Sequence, residues 1–163
     1  MTVLAARVVE TLTVRGLSLA TAESLTGGLI GATITAVPGA SAVYVGGVVA
    51  YQTRLKEDLL EVPAATIATH TVVSEPVARA MAVGLSRSTG ADWCLAVTGV
   101  AGPTGQDGHE PGEVWIGVVG PTIGTHPPVE LMERYDLTGD RSAVREQTVD
   151  ASFRVLLRAL SPV

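Results

Sequence analysis

The sequence predicts an α/β fold, a three-layer α/β/α sandwich built on a mixed, mostly parallel sheet. Three observations predict it. Helical and extended patterns alternate along the chain, and 163 residues is the usual size of one domain, so residues 1–163 are interpreted as a single unit. Hydrophobic residues make up 47% of the chain and charged residues only 17%, which supplies a large core and excludes intrinsic disorder.

The chain opens with a helix and a strand. Apolar residues recur near a 3.6-residue period over residues 2–15, which is typical of an amphipathic helix, and Gly16 is a suitable stop. A short strand is predicted over residues 17–22. The hydroxyl- and glycine-rich turn after it predicts a second helix that begins between Ser24 and Gly27.

A proline–glycine turn and a second strand come next. Pro38 and Gly39 are typical turn residues, and the valine-rich run over residues 43–51 predicts a strand. The glycine pair at 46–47 inside this strand indicates a bulge or a close backbone approach. Residues 53–60 are predicted to form a helix.

The middle of the chain predicts a capped helix and a buried strand. Ser74 is a suitable N-cap and Pro76 suits the first helical turn, so a helix is predicted from there to about Ser88. The apolar run over residues 92–98 favours a strand that is buried on both faces. Cys94 lies in that strand and is interpreted as a small buried hydrophobic residue, not a reactive thiol.

The last third predicts a long loop, a strand pair and a helix. Glycines are frequent over residues 99–112, which favours a loop. The strands predicted over residues 114–119 and 129–135 are expected to form an antiparallel pair across the Gly120–Pro128 connection. Asp140 is a suitable N-cap for a final helix over residues 141–160.

Charge and aromatic content argue against a nucleic-acid partner. The formal net charge is −5, and the aromatic residues are one Phe, two Trp and three Tyr. Single-stranded nucleic acids are bound by basic grooves lined with aromatic side chains, and the sequence predicts neither.

Metal and disulfide chemistry are not expected. Cys94 is the only cysteine, so no intrachain disulfide can form. The three histidines, His70, His109 and His126, do not follow the spacing of a zinc site. No metal and no other cofactor is predicted.

One uncharged segment resembles a membrane span at first sight. Residues 24–53 include no Asp, Glu, Lys or Arg, but glycines and hydroxyl residues interrupt the segment, whereas a membrane span needs about 20 consecutive apolar residues. The first seven residues lack the features of a signal peptide. We therefore expect a cytoplasmic protein that does not contact a membrane.

The first candidate site is the turn over residues 22–28. A hydroxyl at a strand-to-helix turn lies beside unsatisfied backbone N–H groups and the positive end of the helix. Ser24 is therefore a candidate nucleophile, with the N–H groups of Gly27 and Gly28 available for a developing oxyanion. The alternative is that Ser24 or Thr26 only caps the helix, and the spacing alone leaves both readings open.

The second candidate site is the glycine-rich segment over residues 98–105. It also follows a predicted strand, which is where α/β folds place ligands. Its backbone N–H groups are candidates for binding ribose or phosphate. Neither segment matches the dinucleotide-binding or the P-loop pattern.

Lys56 is the candidate base for Ser24. It is the only lysine, and the other ten basic residues are arginines. An arginine stays protonated, whereas a lysine removed from water can lose its proton near neutral pH. The alternative is an exposed helical lysine that pairs with Glu57, Asp58 or Glu61.

Several motifs between about residues 20 and 145 share their order and spacing with one known family. They are Ala22–Gly28; Pro38–Ser41; Gly46–Gly47 with Tyr51 and Lys56 in a Y-x-x-x-x-K array; Val73–Glu75 with Ala78 and Met81–Ala82; Thr98–Pro103; and Gly139–Arg141 with Arg145. The chain resembles the C-terminal domain of the CinA, or competence/damage-inducible, family and its stand-alone relatives, the nicotinamide-nucleotide amidohydrolases.

This resemblance implies an α/β/α domain that hydrolyses nicotinamide mononucleotide to nicotinate mononucleotide and ammonia without a metal. It implies Ser24 as nucleophile, Lys56 as general base and Tyr51 as the hydroxyl that orients or relays the proton. The implied substrate-binding residues are Thr26, Gly27, Gly28, Ser41, Gly46, Thr98, Gly99, Gly102 and Arg145. For the phosphate, Arg145 or Arg141 is the candidate partner, the alternative being that these arginines pair with Asp140.

The segment over residues 109–112 departs from the family pattern. Many relatives read roughly Lys-Pro-Val-Gly there, whereas Glu110 stands here where lysine is common. Two other functions therefore stay open: a non-catalytic nucleotide-binding or partner module linked to competence or DNA damage, and an amidase for another small amide. The resemblance also leads us to expect a small-molecule nucleotide substrate and a homo-oligomer.

Overall fold

The computed structural model describes residues 2–122 and 128–161. The helices are α1 Thr2–Arg15, α2 Leu29–Thr35, α3 Thr53–Leu60, α4 Ala64–His70, α5 Glu75–Thr89 and α6 Arg141–Leu160, with a 3-10 turn at Ala40–Ala42. The strands are β1 Leu19–Glu23, β2 Tyr44–Val49, β3 Trp93–Gly99, β4 Glu113–Val119 and β5 Glu130–Asp136.

The five strands form one mixed sheet in the order β2-β1-β3-β4-β5. Strand β1 is parallel to both of its neighbours, whereas β4 is antiparallel to β3 and to β5. Four strands therefore run in one direction and β4 alone in the other, which confirms the predicted sheet type. Residues 123–127 of the predicted Gly120–Pro128 connection lie outside the described residues.

Helices cover both faces of the sheet, as predicted for a three-layer sandwich. Helices α1, α2 and α6 pack on one face, against strand residues that include Leu19, Leu95 and Ile116. Helices α3 and α5 pack on the other face, around Leu60 and Met81. Each large aliphatic side chain buried in this way stabilises the fold by about 1.5–3 kcal/mol, so these two aliphatic cores hold the layers together.

Helix α2 begins later than the sequence predicts. It starts at Leu29 with Gly28 as its N-cap, and both Gly27 and Gly28 adopt left-handed backbone angles, with φ of 59° and 95°. Residues 24–28 are therefore a turn, and Ser24 does not cap the helix. Helix α4 was not predicted, because none of its residues is buried and its sequence carries no apolar period.

The predicted irregularity in β2 is present at the glycine pair. The pairing with β1 shifts between Leu19 and Ala20, which skips Val45, and Gly46 pairs next with φ of 151°. A Cβ atom on Gly47 would lie 2.4 Å from the Thr21 hydroxyl oxygen, so the two strands approach closely there. The bulge and the close approach are both confirmed.

Three local predictions concern Cys94 and the two N-caps. Cys94 is fully buried in β3, and burial raises the pKa of its thiol to about 11. Asp140 caps α6 by accepting the Ala143 N–H at 2.9 Å. Ser74 holds the predicted N-cap position of α5, but its hydroxyl donates to the Thr71 carbonyl oxygen.

The uncharged segment over residues 24–53 forms α2, the 3-10 turn and β2. Within residues 2–122 and 128–161, no helix is long and apolar enough to cross a membrane.

Candidate active site

Ser24 and Lys56 meet at the carboxyl end of β1. Ser24 follows the last residue of β1, and Lys56 lies in the second turn of α3, which begins four residues after β2 ends. The Lys56 Nζ donates to the Ser24 Oγ at 3.1 Å and to the Ala50 carbonyl oxygen at 2.9 Å. Only 2% of Lys56 and 7% of Ser24 is exposed. An amine and a hydroxyl are therefore in direct contact away from bulk water.

The environment of Lys56 favours its neutral form. Burial lowers the pKa of Lys56 from 10.5 to about 8. No carboxylate pairs with Lys56 among the described residues. Two acids that the sequence offered as its partners pair with arginines instead, Asp58 with Arg54 and Glu61 with Arg87. The alternative of an exposed lysine paired with a neighbouring acid is wrong, and this amine can serve as a base near neutral pH.

The turn that carries Ser24 is held by the side chain before it. The Glu23 carboxylate is 2% exposed and accepts the backbone N–H groups of Gly28, Ile30 and Gly31 at 3.0, 3.0 and 2.8 Å. The first N–H groups of a helix have no partner within the helix, so the Glu23 carboxylate supplies the acceptors that the start of α2 lacks, and these N–H groups in turn stabilise the buried negative charge. The analysis of the sequence missed Glu23. An acid at the end of a buried strand, just before a glycine-rich helix start, was the available signal.

The hydrogen bonds of this turn correct the predicted oxyanion donors. The Gly28 N–H is bonded to Glu23, and the Gly27 N–H donates to the Ser24 carbonyl oxygen at 3.0 Å. Both groups are occupied, so their predicted role is wrong. The N–H groups of Leu25 and Ala101 have no hydrogen-bond partner among the described residues, and both residues line the cavity beside Ser24.

Arg145 has a different role from the predicted one. Its Nε donates to the Leu25 carbonyl oxygen at 3.1 Å, and its Nη2 donates to the Thr26 carbonyl oxygen at 2.7 Å. Two of its donors hold the turn after Ser24, and Arg145 does not contribute to the lining of the cavity beside Ser24, so the structure does not bring it to the place predicted for a phosphate ligand. Arg141, the other candidate, lines the cavity and donates to the Gly102 carbonyl oxygen at 2.9 Å and the Tyr51 hydroxyl at 2.8 Å.

A cavity of about 280 Å³ opens beside Ser24. Its lining combines the Ser24 turn, the glycine-rich loop after β3 and the start of α6. The lining residues are Ser24, Leu25, Tyr51, Gly99, Val100, Ala101, Gly102, Thr104, Gly105, Gln106 and Arg141. Arg141 is the one charged residue in this lining, so the cavity favours an anionic ligand.

Some predicted site residues lie at this cavity. Ser24, Tyr51, Gly99 and Gly102 line it. The Tyr51 hydroxyl accepts its hydrogen bond from Arg141, and within the described residues no bond joins it to Lys56. Its role in proton transfer therefore stays a prediction.

Four other predicted substrate-binding residues do not line the cavity. Thr26 is fully buried, and its hydroxyl has no partner among the described residues. The Thr98 hydroxyl is buried and donates to the Val72 carbonyl oxygen at 2.7 Å. Ser41 lies at the amino end of β2, away from the site, and Gly46 lies in the β2 bulge. The structure does not bring these four residues to the lining of this cavity.

The departure at Glu110 does not change the cavity wall. Glu110 is exposed and does not contribute to the cavity lining. His109 does not contribute to the cavity lining either. His126 lies outside the described residues.

Comparison with known proteins identifies the family. The CinA C-terminal domain profile matches residues 1–160. The chain belongs to the CinA C-terminal domain family. A CinA-like protein of Anaeromyxobacter sp. (strain Fw109-5) is 46% identical over 158 residues, covering 96% of this chain and 37% of the relative. A CinA-like protein of Synechococcus sp. (strain CC9902) is 44% identical over 160 residues, covering 97% of this chain and 37% of the relative.

Solved structures of CinA-superfamily proteins share the fold over almost their whole length. The CinA-superfamily protein from Klebsiella pneumoniae 700603 superposes with a TM-score of 0.89 at 36% identity, covering 98% of this chain and 96% of the other. The competence/damage-inducible protein CihA from Agrobacterium tumefaciens gives 0.91 at 32% identity, covering 98% and 95%. The chain thus spans little more than a third of the curated relatives it matches, and nearly all of these solved chains.

Proposed function

We propose that this CinA-family domain is an amidohydrolase that converts nicotinamide mononucleotide to nicotinate mononucleotide and ammonia, with Ser24 as nucleophile and Lys56 as general base. The observation that carries the proposal is the 3.1 Å contact between the Lys56 Nζ and the Ser24 Oγ. A hydroxyl is a weak nucleophile until an adjacent base removes its proton, and a buried amine without a counter-charge is such a base.

Acylation starts from the neutral Lys56 amine. It accepts the Ser24 proton as the Oγ attacks the carboxamide carbon, and the negative charge moves to the amide oxygen. We assign the Leu25 and Ala101 N–H groups to that oxyanion, since both lack partners among the described residues and both residues line the cavity. The Lys56 ammonium then gives its proton to the departing nitrogen, directly or through Tyr51, and ammonia leaves.

Deacylation repeats these roles with water. Lys56, neutral again, accepts a proton from a water molecule that attacks the ester carbon of the acyl-enzyme. Collapse of the second tetrahedral intermediate returns that proton to the Ser24 Oγ and releases the product as the carboxylic acid, which then loses its proton to solvent as the carboxylate. Lys56 and Ser24 are thereby restored to their starting protonation states.

The anionic end of the substrate is assigned to Arg141. Its guanidinium is the charged group of the cavity lining, and it lies between the Gly102 carbonyl oxygen and the Tyr51 hydroxyl. Guanidinium groups bind phosphate oxygens through paired hydrogen bonds. Unpartnered N–H groups in the loop after β3 would contribute further donors to ribose or phosphate.

An ammonia-release assay with nicotinamide mononucleotide tests the proposal. Ser24→Ala and Lys56→Gln are expected to lose turnover and keep the fold, measured by circular dichroism. Two matched controls change the same residue type or helix away from the site: Ser88→Ala and Arg54→Gln, both exposed. Both controls are expected to keep wild-type rates. Turnover that survives in either active-site variant would remove that residue from the mechanism.

A substrate panel separates the alternatives. Nicotinamide mononucleotide, its dephosphorylated riboside and other small amides are compared in the same assay, next to a thermal-shift measurement of binding. Binding of the mononucleotide without ammonia release would favour a non-catalytic nucleotide-binding module. Faster release from a phosphate-free amide would favour an amidase with another substrate, and it would remove the phosphate role of Arg141.

A further inference from the structure

A hydrogen-bonded chain of three side chains lies behind the glycine-rich wall of the cavity. The Thr71 Oγ1 is 2.6 Å from the His109 Nε2, and the His109 Nδ1 is 3.0 Å from the Glu113 Oε2. His109 and Glu113 are largely buried, with 19% and 13% of their side chains exposed. None of the three belongs to the cavity lining, and the proposed mechanism uses none of them.

The chain holds the His109 ring at both of its nitrogen atoms. The Glu113 carboxylate lies at the Nδ1 edge, and the Thr71 hydroxyl, which can donate or accept, lies at the Nε2 edge. The Thr71 hydroxyl also contacts the His70 carbonyl oxygen. Both ring nitrogens are therefore engaged by side chains from separate parts of the chain.

Charged groups from the neighbouring strands surround this imidazole. Glu113 faces it from β4, and the Arg134 Nη2 reaches the same Glu113 carboxylate from β5 at 3.6 Å. Arg134 is itself paired with Asp136 at 2.9 Å. The other titratable groups near His109 in sequence or through Thr71 are Asp107, Glu110 and His70. The Glu113 carboxylate is therefore contacted from β5 as well as by His109.

The backbone at Thr71 is held in a conformation that its side chain disfavours. Thr71 has φ of 64° and ψ of 170°, a region occupied almost only by glycine. A β-branched residue there is a genuine outlier, so contacts with its surroundings must hold it. The hydrogen bond to His109 is one such contact.

The backbone of His109 connects this chain to the cavity wall. Its carbonyl oxygen accepts the Gln106 N–H at 3.0 Å, and its N–H donates to the Gln106 carbonyl oxygen at 2.9 Å, across a two-residue turn at 107–108. A Cβ atom on Gly105 would lie 2.5 Å from the His109 carbonyl oxygen. Gly105 and Gln106 line the cavity, so a displacement of His109 moves its wall.

We propose that His109, held between Thr71 and Glu113, is a positioning residue that fixes the Gly105–Gln106 wall of the cavity. Loss of either side-chain contact of its imidazole loosens the wall and weakens ligand binding. The consequence for the ligand rests on the proposed function, whereas the rigidity of the wall does not.

A measurement without substrate tests the structural part. Amide exchange at Gln106 in the full chain is expected to be at least tenfold faster in His109→Gln and Thr71→Val than in wild type, with Thr71→Ser unchanged. Equal exchange in all variants that retain the wild-type melting temperature would overturn the proposal.

Kinetics test the consequence for the ligand. In His109→Gln, the KM for nicotinamide mononucleotide is expected to be at least fivefold higher with kcat within twofold, and Thr71→Ser is expected to keep the wild-type KM. The same KM in wild type and His109→Gln would reject the positioning role. If wild-type protein releases no ammonia, the proposed function fails, and the amide-exchange measurement still decides whether His109 fixes the wall.

Discussion

Glu23 and Lys56 are the two charged side chains buried within residues 2–122 and 128–161, and their surroundings are opposite. Glu23 has three backbone N–H donors at the start of α2, so its charge is fully solvated by the protein. Lys56 has one carbonyl and one hydroxyl oxygen and no carboxylate partner.

This contrast separates a structural charge from a reactive one. A buried charge with enough hydrogen bonds is stable and inert, and Glu23 uses its charge to fix the turn that carries Ser24. A buried charge with too few partners is disfavoured and tends to lose its proton, which is what a general base requires. Ser24 therefore lies between Glu23, whose charge fixes the turn, and Lys56, whose ammonium can lose its proton.

The largest expected effect comes from keeping the charge of Lys56 while removing its ability to deprotonate. In Lys56→Arg the guanidinium stays protonated, so the rate of ammonia release should fall by about 10³-fold or more, within the usual range of general-base contributions. Steady-state kinetics measures it, with Arg54→Lys on the exposed face of α3 as the matched control. An arginine variant that retained a tenth of the activity would contradict the role of Lys56 as base.

The next effect concerns the stability that Glu23 contributes. Glu23→Gln removes the charge and replaces one acceptor oxygen with a donor that faces a backbone N–H, so unfolding free energy should drop by about 2–3 kcal/mol. Urea denaturation measures the loss. Glu10→Gln, on the surface of α1, should change stability by less than about 0.5 kcal/mol. A Glu23 variant as stable as wild type would show that the α2 start does not depend on this carboxylate.

Lys56→Met should act in the opposite direction from Glu23→Gln. Because the folded pKa of about 8 is below the ordinary 10.5, the folded state carries an unfavourable ammonium below pH 8. That difference in pKa corresponds to about 3 kcal/mol, and the lost hydrogen bonds reduce the net gain of the variant to about 2 kcal/mol.

The pH dependence of the stability gained in Lys56→Met shows whether the buried charge of the lysine causes that gain. Between pH 8 and 10.5 the unfolded lysine is protonated and the folded one is neutral, so wild-type stability rises with pH and the advantage of Lys56→Met shrinks. Denaturant melts at pH 7 and pH 10 test this. An advantage that is equal at both pH values would point to packing and not to the buried charge.

The smallest effect is expected at the exposed counterpart of Glu23. Asp140 also caps a helix with a carboxylate, but it is exposed, and among the described residues its carboxylate accepts only the Ala143 N–H. Asp140→Ala should cost about 1 kcal/mol, and Asp140→Asn much less, since asparagine caps almost as well. Thermal melts measure both. A loss for Asp140→Ala as large as that for Glu23→Gln would remove the distinction between buried and exposed caps.

The sequence predicted the layers and the sheet because those follow from local periodicity. Helix α1, strand β3 and the Asp140 cap are each indicated by residues next to one another in the chain. Helix α4 was missed, since it buries none of its residues and therefore has no apolar period. The start of α2 was misplaced, because the left-handed angles of Gly27 and Gly28 extend the turn.

The site depended on contacts between residues far apart in sequence. The sequence indicated Lys56 as the base for Ser24 because it is the only lysine, and family resemblance implied the same pair, whereas spacing alone left an exposed position open. Which of the two candidate arginines lines the cavity was beyond the sequence, because four residues along one helix separate Arg145, which holds the turn, from Arg141, which reaches the cavity. The sequence also could not show that the Gly28 N–H, a predicted oxyanion donor, is bonded to Glu23, because only the fold determines which backbone N–H groups already have a partner.

The pKa of Lys56 is the most direct test of the account, and the chain makes it simple to measure. Because Lys56 is the only lysine, protein labelled with ¹³C-lysine gives a single side-chain ε-CH₂ signal. The account predicts that this signal titrates with a midpoint near 8 in the folded protein. A midpoint near the ordinary 10.5 would mean that the amine stays charged at the pH of catalysis, and Lys56 could not be the base.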